Sequence, residues 1–330
     1  MSRLRLTLSC WDYDRVAALA DGRVAVEGVD LNFLAQPVEE TFFRMLRHRE
    51  FDAAEMSLSS YTVSLSREPR PFVAIPVFPS RFFRHSSIYV SAKSGIRDAT
   101  DLAGKRVGTP EYQMTAPVWI RGMLADEFGV RAEDVEHLTG GEEQPGREEK
   151  LKLDLPARIR VRRIGPDQTL AAMIADGGID ALFTARAPST FRSRPDAVRR
   201  LFEDYVAVER DYFRRTKIFP IMHTVVIRRE VYEANPWLAQ SLFKAFVEAQ
   251  RLTYRGLGET AAHKAMLPWL THAVEEARRE LGEDWWPYGF APNRHVLDTF
   301  LRYHHEQGLS PRRLAPEALF APETLESFVI

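Results

Sequence analysis

The sequence predicts an α/β protein of two lobes, the second inserted in the first, with a helical C-terminal region. Three observations carry this expectation. Strand-like and helix-like segments alternate from the N-terminus to about residue 186, the pattern of mainly parallel sheets covered by helices. At 330 residues the chain is long for a single hydrophobic core and suits two. From "FPIMHTVVIRREVYEANPWL" (219–238) onward the pattern becomes helical. The expected division is 1–92 with 218–330 as the first lobe and 93–217 as the second.

The elements follow in order. Residues 3–9 alternate Leu4, Leu6 and Leu8 with Arg3, Arg5 and Thr7, a half-buried strand. A short helix over 15–20 and a strand over 26–34 come next. Val38, Phe42, Met45 and Leu46 recur at helical spacing and predict a helix over 38–48. "FDAAEMSLS" (51–59) is a short strand, "SSYTVSLS" (59–66) a helical turn, and "PFVAIPVF" (71–78) another strand. After the polar run "RFFRHSS" (81–87), Ile88, Tyr89 and Val90 resume strand character. "KRVGTP" (105–110) is a strand and Thr115–Phe128 a helix. The Gly-, Glu- and Lys-rich stretch 140–152 reads as an exposed loop or hairpin insertion. "RIRVRRIG" (158–165), "DQTLAAMIADG" (167–177) and "IDALFTAR" (179–186) read as strand, helix and strand. Asn235-Pro236 has the form of a helix start, and helices are expected over 237–257, 259–281 and 293–307.

Composition narrows the function classes. Lys and Arg number 45 against 46 Asp and Glu, a net charge of -1, so the basic excess of a nucleic-acid-binding protein is missing. No run approaches the roughly 18 apolar residues of a membrane span, and residues 1–15 do not have the form of a secretory leader. The single cysteine, Cys10, fits a reducing compartment. The expectation is a cytoplasmic protein with neither nucleic-acid nor membrane partner. The aromatic-rich C-terminal helices, Trp285-Trp286 among them, are expected to serve packing or a homodimer interface.

Ligands of open α/β sheets bind at the carboxyl ends of strands. That rule selects Trp11, Tyr13, Asp14 and Arg15; Glu55, Ser57 and Ser59; Arg81, Arg84, His85 and Ser86; Thr109, Glu111, Tyr112, Gln113 and Thr115; Thr184 and Arg186; His223 and Thr224. Cations, hydroxyls, rings and histidines together suit a small aromatic anion, with arginines for carboxylates and histidines for proton transfer. Each also has a plainer reading. Arg15 suits a surface helix start, Thr115 a helix cap and His223 a hydrogen-bonded core histidine, while Glu55, among apolar neighbours, needs a partner if buried. Phosphate-loop, dinucleotide, metalloprotease and nucleophile-elbow motifs are absent. A divalent-metal site assembled from Glu55, His85 and His223 stays open as an alternative.

Several longer stretches carry a resemblance. "DYDR", "EMSLSSY", "RHSSIYV", "GTPEYQMTAPVWIRGML", "DALFTARAPS", "FPIMH" and the closing "NRHVLDTFLRYHHEQGLSPRRLAPEALFAPETLESF" resemble, in order and over almost the whole chain, the 4,5-dihydroxyphthalate decarboxylase family. That family is similar in fold to type II periplasmic binding proteins. The resemblance implies a carboxy-lyase turning 4,5-dihydroxyphthalate into 3,4-dihydroxybenzoate and CO2, with a small aromatic carboxylate as its partner. It implies no organic cofactor, because a hydroxylated ring is its own electron sink. On that basis His85 is expected as proton donor, with His223 and Glu55 as phenol-side base and orienting partner; the two histidine roles are interchangeable. Arg81 and Arg186 would anchor carboxylates, Arg15 and Ser86 would assist, Tyr13 would face the ring, and Tyr112, Gln113 and Thr115 would close over it. The alternatives on the same fold are a transporter-type receptor for an organic anion and a menaquinone-pathway-like lyase.

Overall fold

The computed structural model describes residues 3–326. In chain order its strands and α-helices are β1 (Leu4–Cys10), α1 (Ala17–Ala20), β2 (Val29–Ala35), α2 (Val38–His48), β3 (Ala53–Ser57), α3 (Leu58–Ser64), β4 (Phe72–Ile75), β5 (Ile88–Ser91), β6 (Arg106–Thr109), α4 (Thr115–Phe128), β7 (Glu136–Thr139), β8 (Val161–Arg163), α5 (Leu170–Asp176), β9 (Ala181–Phe183), α6 (Ser189–Ser193), β10 (Val198–Arg200), α7 (Tyr205–Thr216), β11 (His223–Arg228), α8 (Arg229–Ala234), α9 (Trp237–Leu257), α10 (Leu270–Leu281) and α11 (Arg294–Glu306). They pack as two compact units. The first holds the chain up to Arg81, Ile221–His295 and the residues from Ala315; the second holds Phe82–Pro220 and Val296–Leu314. Residues 82–92, 218–220 and 296–314 therefore stand in the second unit, where the sequence expectation put them in the first.

The first unit is built on a five-stranded sheet in the order β2-β1-β3-β11-β4. β2, β1 and β3 are parallel, and β11 runs antiparallel to both β3 and β4. The reversal has a consequence for the site: the first residue of β11, His223, lies opposite the last residue of β3, Ser57. β3 is buried at all five positions, Glu55 included. α2 packs on β1 and β3 and buries Thr41, Phe42 and Met45, with Glu39 and Glu40 in its first turn and Arg47 and His48 in its last. Those charges suit the helix dipole.

The second unit has a six-stranded sheet in the order β10-β5-β9-β6-β7-β8. β9, β6, β7 and β8 are parallel neighbours; β5 is antiparallel to β9 and β10. Both sheets thus mix parallel and antiparallel pairs where mainly parallel ones were expected, since the alternation of side chains along a strand is the same whichever way its neighbour runs. α4 ends at Gly129, which takes the left-handed conformation at φ 71° that a helix cap favours.

Two helix expectations are corrected. Residues 259–269 are irregular, and only Leu270–Leu281 forms α10. Pro268 disfavours helical backbone at Leu267 and supplies no N–H. α7 stands where the sequence reading had only a crossover; its sole buried residue is Tyr212, so it shows no apolar stripe.

Within the second unit Gly122 of α4 faces the ring of Tyr303, and a Cβ there would fall 2.1 Å from that ring. Tyr303 cannot swing aside, being edge-on to Trp119 at 5.7 Å and bonded through its hydroxyl to Asp126 at 2.5 Å. Gly122→Ala should therefore lower the melting temperature through an overpacking cost of about 1–3 kcal/mol. Thermal denaturation followed by circular dichroism checks this.

Candidate active site

In the first unit the geometry centres on the fully buried carboxylate of Glu55. In the β3–β11 register Glu55 faces Val225, so His223, two residues along, is its diagonal neighbour on the same sheet face. His223 Nδ1 lies 2.6 Å from Glu55 Oε1, and the Tyr13 hydroxyl donates to the same oxygen at 2.7 Å. The Trp11 N–H donates to Oε2 at 3.0 Å, and the Cys10 thiol reaches it at 3.5 Å. Burial alone would raise the Glu55 pKa. The His223 hydrogen bond and charge, with the Trp11 and Tyr13 donors, outweigh burial and leave it below the usual carboxylate value. Burial first, and then the Glu55 charge, push the Tyr13 hydroxyl and Cys10 thiol upward, so both stay protonated donors. With Glu55 ionised, Nδ1 of His223 carries hydrogen and Nε2 is left for a ligand. The ring is held edge-on by Phe42 at 4.9 Å, and its side chain is 16% exposed.

Arg15 is clamped next to this pair. Its guanidinium lies 4.0 Å from the Tyr13 ring centroid and 4.4 Å from that of Trp286, and its Nε donates to Pro79 O at 2.6 Å. Trp286, assigned by the sequence to packing, is itself fixed by its indole N–H to Phe78 O at 2.9 Å. Arg81 is buried, with Nη2 donating to Pro287 O at 2.8 Å and to Asn293 Oδ1. Burial lowers its pKa to about 9, which leaves it charged at neutral pH. Tyr288 and Asn293 were not among the sequence candidates; "WWPYGFAPN" reads locally as packing.

The second unit holds the other candidates in separate places. His85 and Ser86 share a single 3-10 turn. His85 is buried edge-on to Tyr212 at 5.1 Å and Phe202 at 5.6 Å, with no hydrogen-bond partner at Nδ1. Burial lowers its pKa to about 4. The Ser86 N–H donates to Glu209 at 3.1 Å, and Arg200 donates to Ser86 O at 3.0 Å. Tyr112 is wholly buried under Arg121, 4.0 Å from its ring centroid, and donates to Gln307 O at 3.0 Å. That placement corrects the expectation of a ring free to close over a ligand. Arg186 is exposed just after β9, and Thr115 opens α4.

Gln113 belongs to a polar knot around buried Glu111, donating to it at 2.8 Å. Lys150 Nζ and Arg147 Nη2 each reach Glu111 at 2.5 Å. The adjoining Glu149 accepts from the Tyr112 N–H, and burial, opposed by that bond and reinforced by Glu111, pushes its pKa up to about 7. Residues 140–152 are a loop, as expected, but an inward-facing one. Arg147, Glu149 and Lys150 turn to the interior, while Glu143, Glu148 and Lys152 stay exposed. Among the described residues no group of three His, Cys, Asp or Glu side chains could hold a metal ion, and no helix is long and apolar enough to cross a membrane.

No protein-family model matches the chain. Over 330 residues, the full length of both, it is 46% identical to 4,5-dihydroxyphthalate decarboxylase of Comamonas testosteroni. The chain belongs to the 4,5-dihydroxyphthalate decarboxylase family. The Pseudomonas putida protein of the same name is 44% identical over 214 residues, covering 65% of this chain and 83% of its own. Among solved structures, the periplasmic sulfonate-binding protein SsuA of Methylobacillus flagellatus matches with a TM-score of 0.55 at 13% identity, covering 97% of this chain and 92% of its own. The periplasmic aliphatic sulphonate-binding protein SsuA of Escherichia coli matches with 0.53 at 13% identity, covering 98% and 99%. At such identities the likeness shows the fold, that of periplasmic binding proteins, and nothing about the ligand.

The surroundings of His85 set a measurable expectation. Its pKa is depressed below the ordinary 6.5 to about 4, so the neutral ring stabilises the fold. That contribution is complete above pH 6.5 and fades as pH falls from 6.5 to about 4. Ring NMR should show a neutral imidazole at pH 7 titrating near 4. The acid side of the melting-temperature profile should flatten in His85→Phe.

Proposed function

We propose that the chain catalyses the non-oxidative decarboxylation of 4,5-dihydroxyphthalate to 3,4-dihydroxybenzoate and CO2, with the Glu55–His223 pair as its proton carrier. The full-length 46% identity to a protein of that name supports the reaction. The observation that supports the assignment is the 2.6 Å contact between His223 Nδ1 and a carboxylate already held by three other donors.

The chemistry follows from what such a pair can do. Protonated His223 delivers a proton from Nε2 to the ring carbon that bears the departing carboxylate. The para hydroxyl donates electron density to stabilise the dearomatised cationic ring. The carbon–carboxylate bond then breaks, its electron pair returns to the ring, and CO2 leaves. Neutral His223 recovers a proton from solvent, so one proton is consumed per turnover. Glu55 stabilises the imidazolium and fixes the ring's tautomer and direction, the orienting role a buried carboxylate plays for a catalytic histidine. Arg15, held between two aromatic faces, spends Nε on Pro79 O and Nη1 on Asp14 Oδ1 at 3.0 Å, and its Nη2 is left to meet a carboxylate. Arg81 adds positive charge.

The donor role passes here from His85 to His223 for two reasons. A ring with a pKa of about 4 carries almost no proton to give at pH 7, and its neighbours are aromatic rather than an orienting carboxylate. The route needs no organic electron sink, because the hydroxylated ring is one. A cytoplasmic setting is part of the same reading, supported by an unpaired, buried Cys10.

His223→Gln and Glu55→Gln should each lower kcat by about 10²–10⁴-fold, the usual worth of a general acid and its support. Because the two act as a unit, the double variant should be little slower than the worse single one. CO2 release from 4,5-dihydroxyphthalate, with circular dichroism to confirm folding, measures this. Decarboxylation at the parental rate by His223→Gln sinks the assignment. A parental protein that binds the dicarboxylate and releases no CO2 would be an anion receptor instead.

A further inference from the structure

Tyr288 is 8% exposed, and its hydroxyl has no hydrogen-bond partner. Leaving a buried hydroxyl unsatisfied is costly, and native structures rarely do so without a reason. The residue is not loosely placed. On one side of it Pro287 O accepts from Arg81 Nη2 at 2.8 Å and from Asn293 Nδ2 at 2.9 Å. On the other the Gly289 N–H donates to Pro76 O at 2.8 Å, and Gly289 O accepts from Asn293 Nδ2 at 2.8 Å. The backbone is thus pinned to Arg81, Asn293 and the strand-end segment after β4. Within the same unit the hydroxyl feels the positive charges of Arg15 and Arg81 and the carboxylate of Glu55. Burial, more than any of these, pushes its pKa upward, so it is a neutral donor across the working range. It is a rigid, unspent donor among the groups that the proposed reaction uses.

We propose that Tyr288 is a substrate-binding residue: its hydroxyl donates to the carboxylate that the aromatic substrate keeps, alongside the Arg15 guanidinium. This rests on the decarboxylase reading. A guanidinium and a hydroxyl sharing one carboxylate give it a charge-assisted anchor. The retained carboxylate is present in substrate, intermediate and product alike. A bond to it is uniform binding, which lowers KM and leaves kcat nearly unchanged.

The test is Tyr288→Phe, which deletes the oxygen and keeps the ring. KM for 4,5-dihydroxyphthalate should rise by about 10- to 100-fold, the worth of a hydrogen bond to a charged group, with kcat within a few-fold of the parent. Calorimetric binding of three probes locates the partner. Phthalate and 3,4-dihydroxybenzoate, which carry a carboxylate, should weaken by the same factor, and catechol, which carries none, should be unaffected. Weakened catechol binding with unchanged phthalate would place the hydroxyl on a phenol oxygen and overturn the proposal. Unchanged KM with unchanged binding of all three would overturn it too. So would a loss confined to kcat. The parental protein's CO2 release is measured alongside: its absence refutes the decarboxylase reading, whereas a parental enzyme unaffected by Tyr288→Phe refutes only the role of this residue.

Discussion

A single buried carboxylate organises the first unit. Removing Glu55 from water costs several kcal/mol unless its lone pairs are met. They are met by donors from three separate stretches of chain: the end of β1, the turn that follows it, and the start of β11. Each donor depends on register. β1 and β3 are paired so that Ser9 faces Ala54, which brings Cys10 and Trp11 to the level of Glu55. β11 must run antiparallel, because only then does its first residue, rather than its last, reach that end of β3. A one-residue slip of either strand would turn Glu55 or His223 to the opposite sheet face. The fold's strand order and the candidate chemistry are therefore one constraint, not two.

The sequence shows this arrangement only in part, and the boundary is physical. Helices α2, α4 and α9 are legible to the residue from the face that the spacing of their apolar residues marks and, for α4, from the Gly129 that ends it. The Asn235 cap expected before α9 does not form, since Pro236 is the N-cap without a side-chain bond and Asn235 closes α8. Helix α7 offers no such face and goes unseen. Residue types at strand ends are legible as well, which is why Glu55, His223, Tyr13 and Arg15 could be named. Their pairing is not. Glu55 and His223 are 168 positions apart, and what joins them is the reversal of one strand, a property of the sheet rather than of any local window. The same limit explains His85. "RFFRHSS" reads as a polar strand-end loop, but Tyr212 and Phe202, from distant segments, turn its histidine into a packed and neutral ring.

The loop over 140–152 makes the converse point about charge. A run rich in Glu, Arg and Lys is ordinarily a solvated surface, and local composition supports nothing else. Here Arg147 and Lys150 turn inward because Glu111, at the end of the β6 segment, is buried and needs cations. The exchange carries a penalty, visible in the raised pKa of Glu149, which shares the neighbourhood with Glu111 and loses solvent without a cation of its own to compensate fully. Charged loops can thus be anchored by their charges. Deciding whether one is anchored requires knowing the burial of a residue some 36 to 39 positions away.

Charge balance ties the first unit to the proposed reaction more closely than any single contact does. Arg15 and Arg81 are balanced by the carboxylates of Glu55 and of Asp14, which pairs with the Arg15 guanidinium at 3.0 Å, so the positive charge that changes during turnover is the proton on His223. The substrate of the proposed reaction is a dicarboxylate, which favours a donor that brings positive charge with its proton. As the ring carbon takes the proton, the imidazole becomes neutral and the site loses one positive charge. The same proton takes the organic ligand from two negative charges to one, and the CO2 that leaves afterwards is neutral and changes neither count. Site and ligand thus lose charge together, which limits the uncompensated charge in a low-dielectric surrounding, where it is most costly. A proton donor without net positive charge in its active form would not track the ligand in this way. That favours an imidazolium held by a permanent carboxylate over a neutral, buried histidine such as His85.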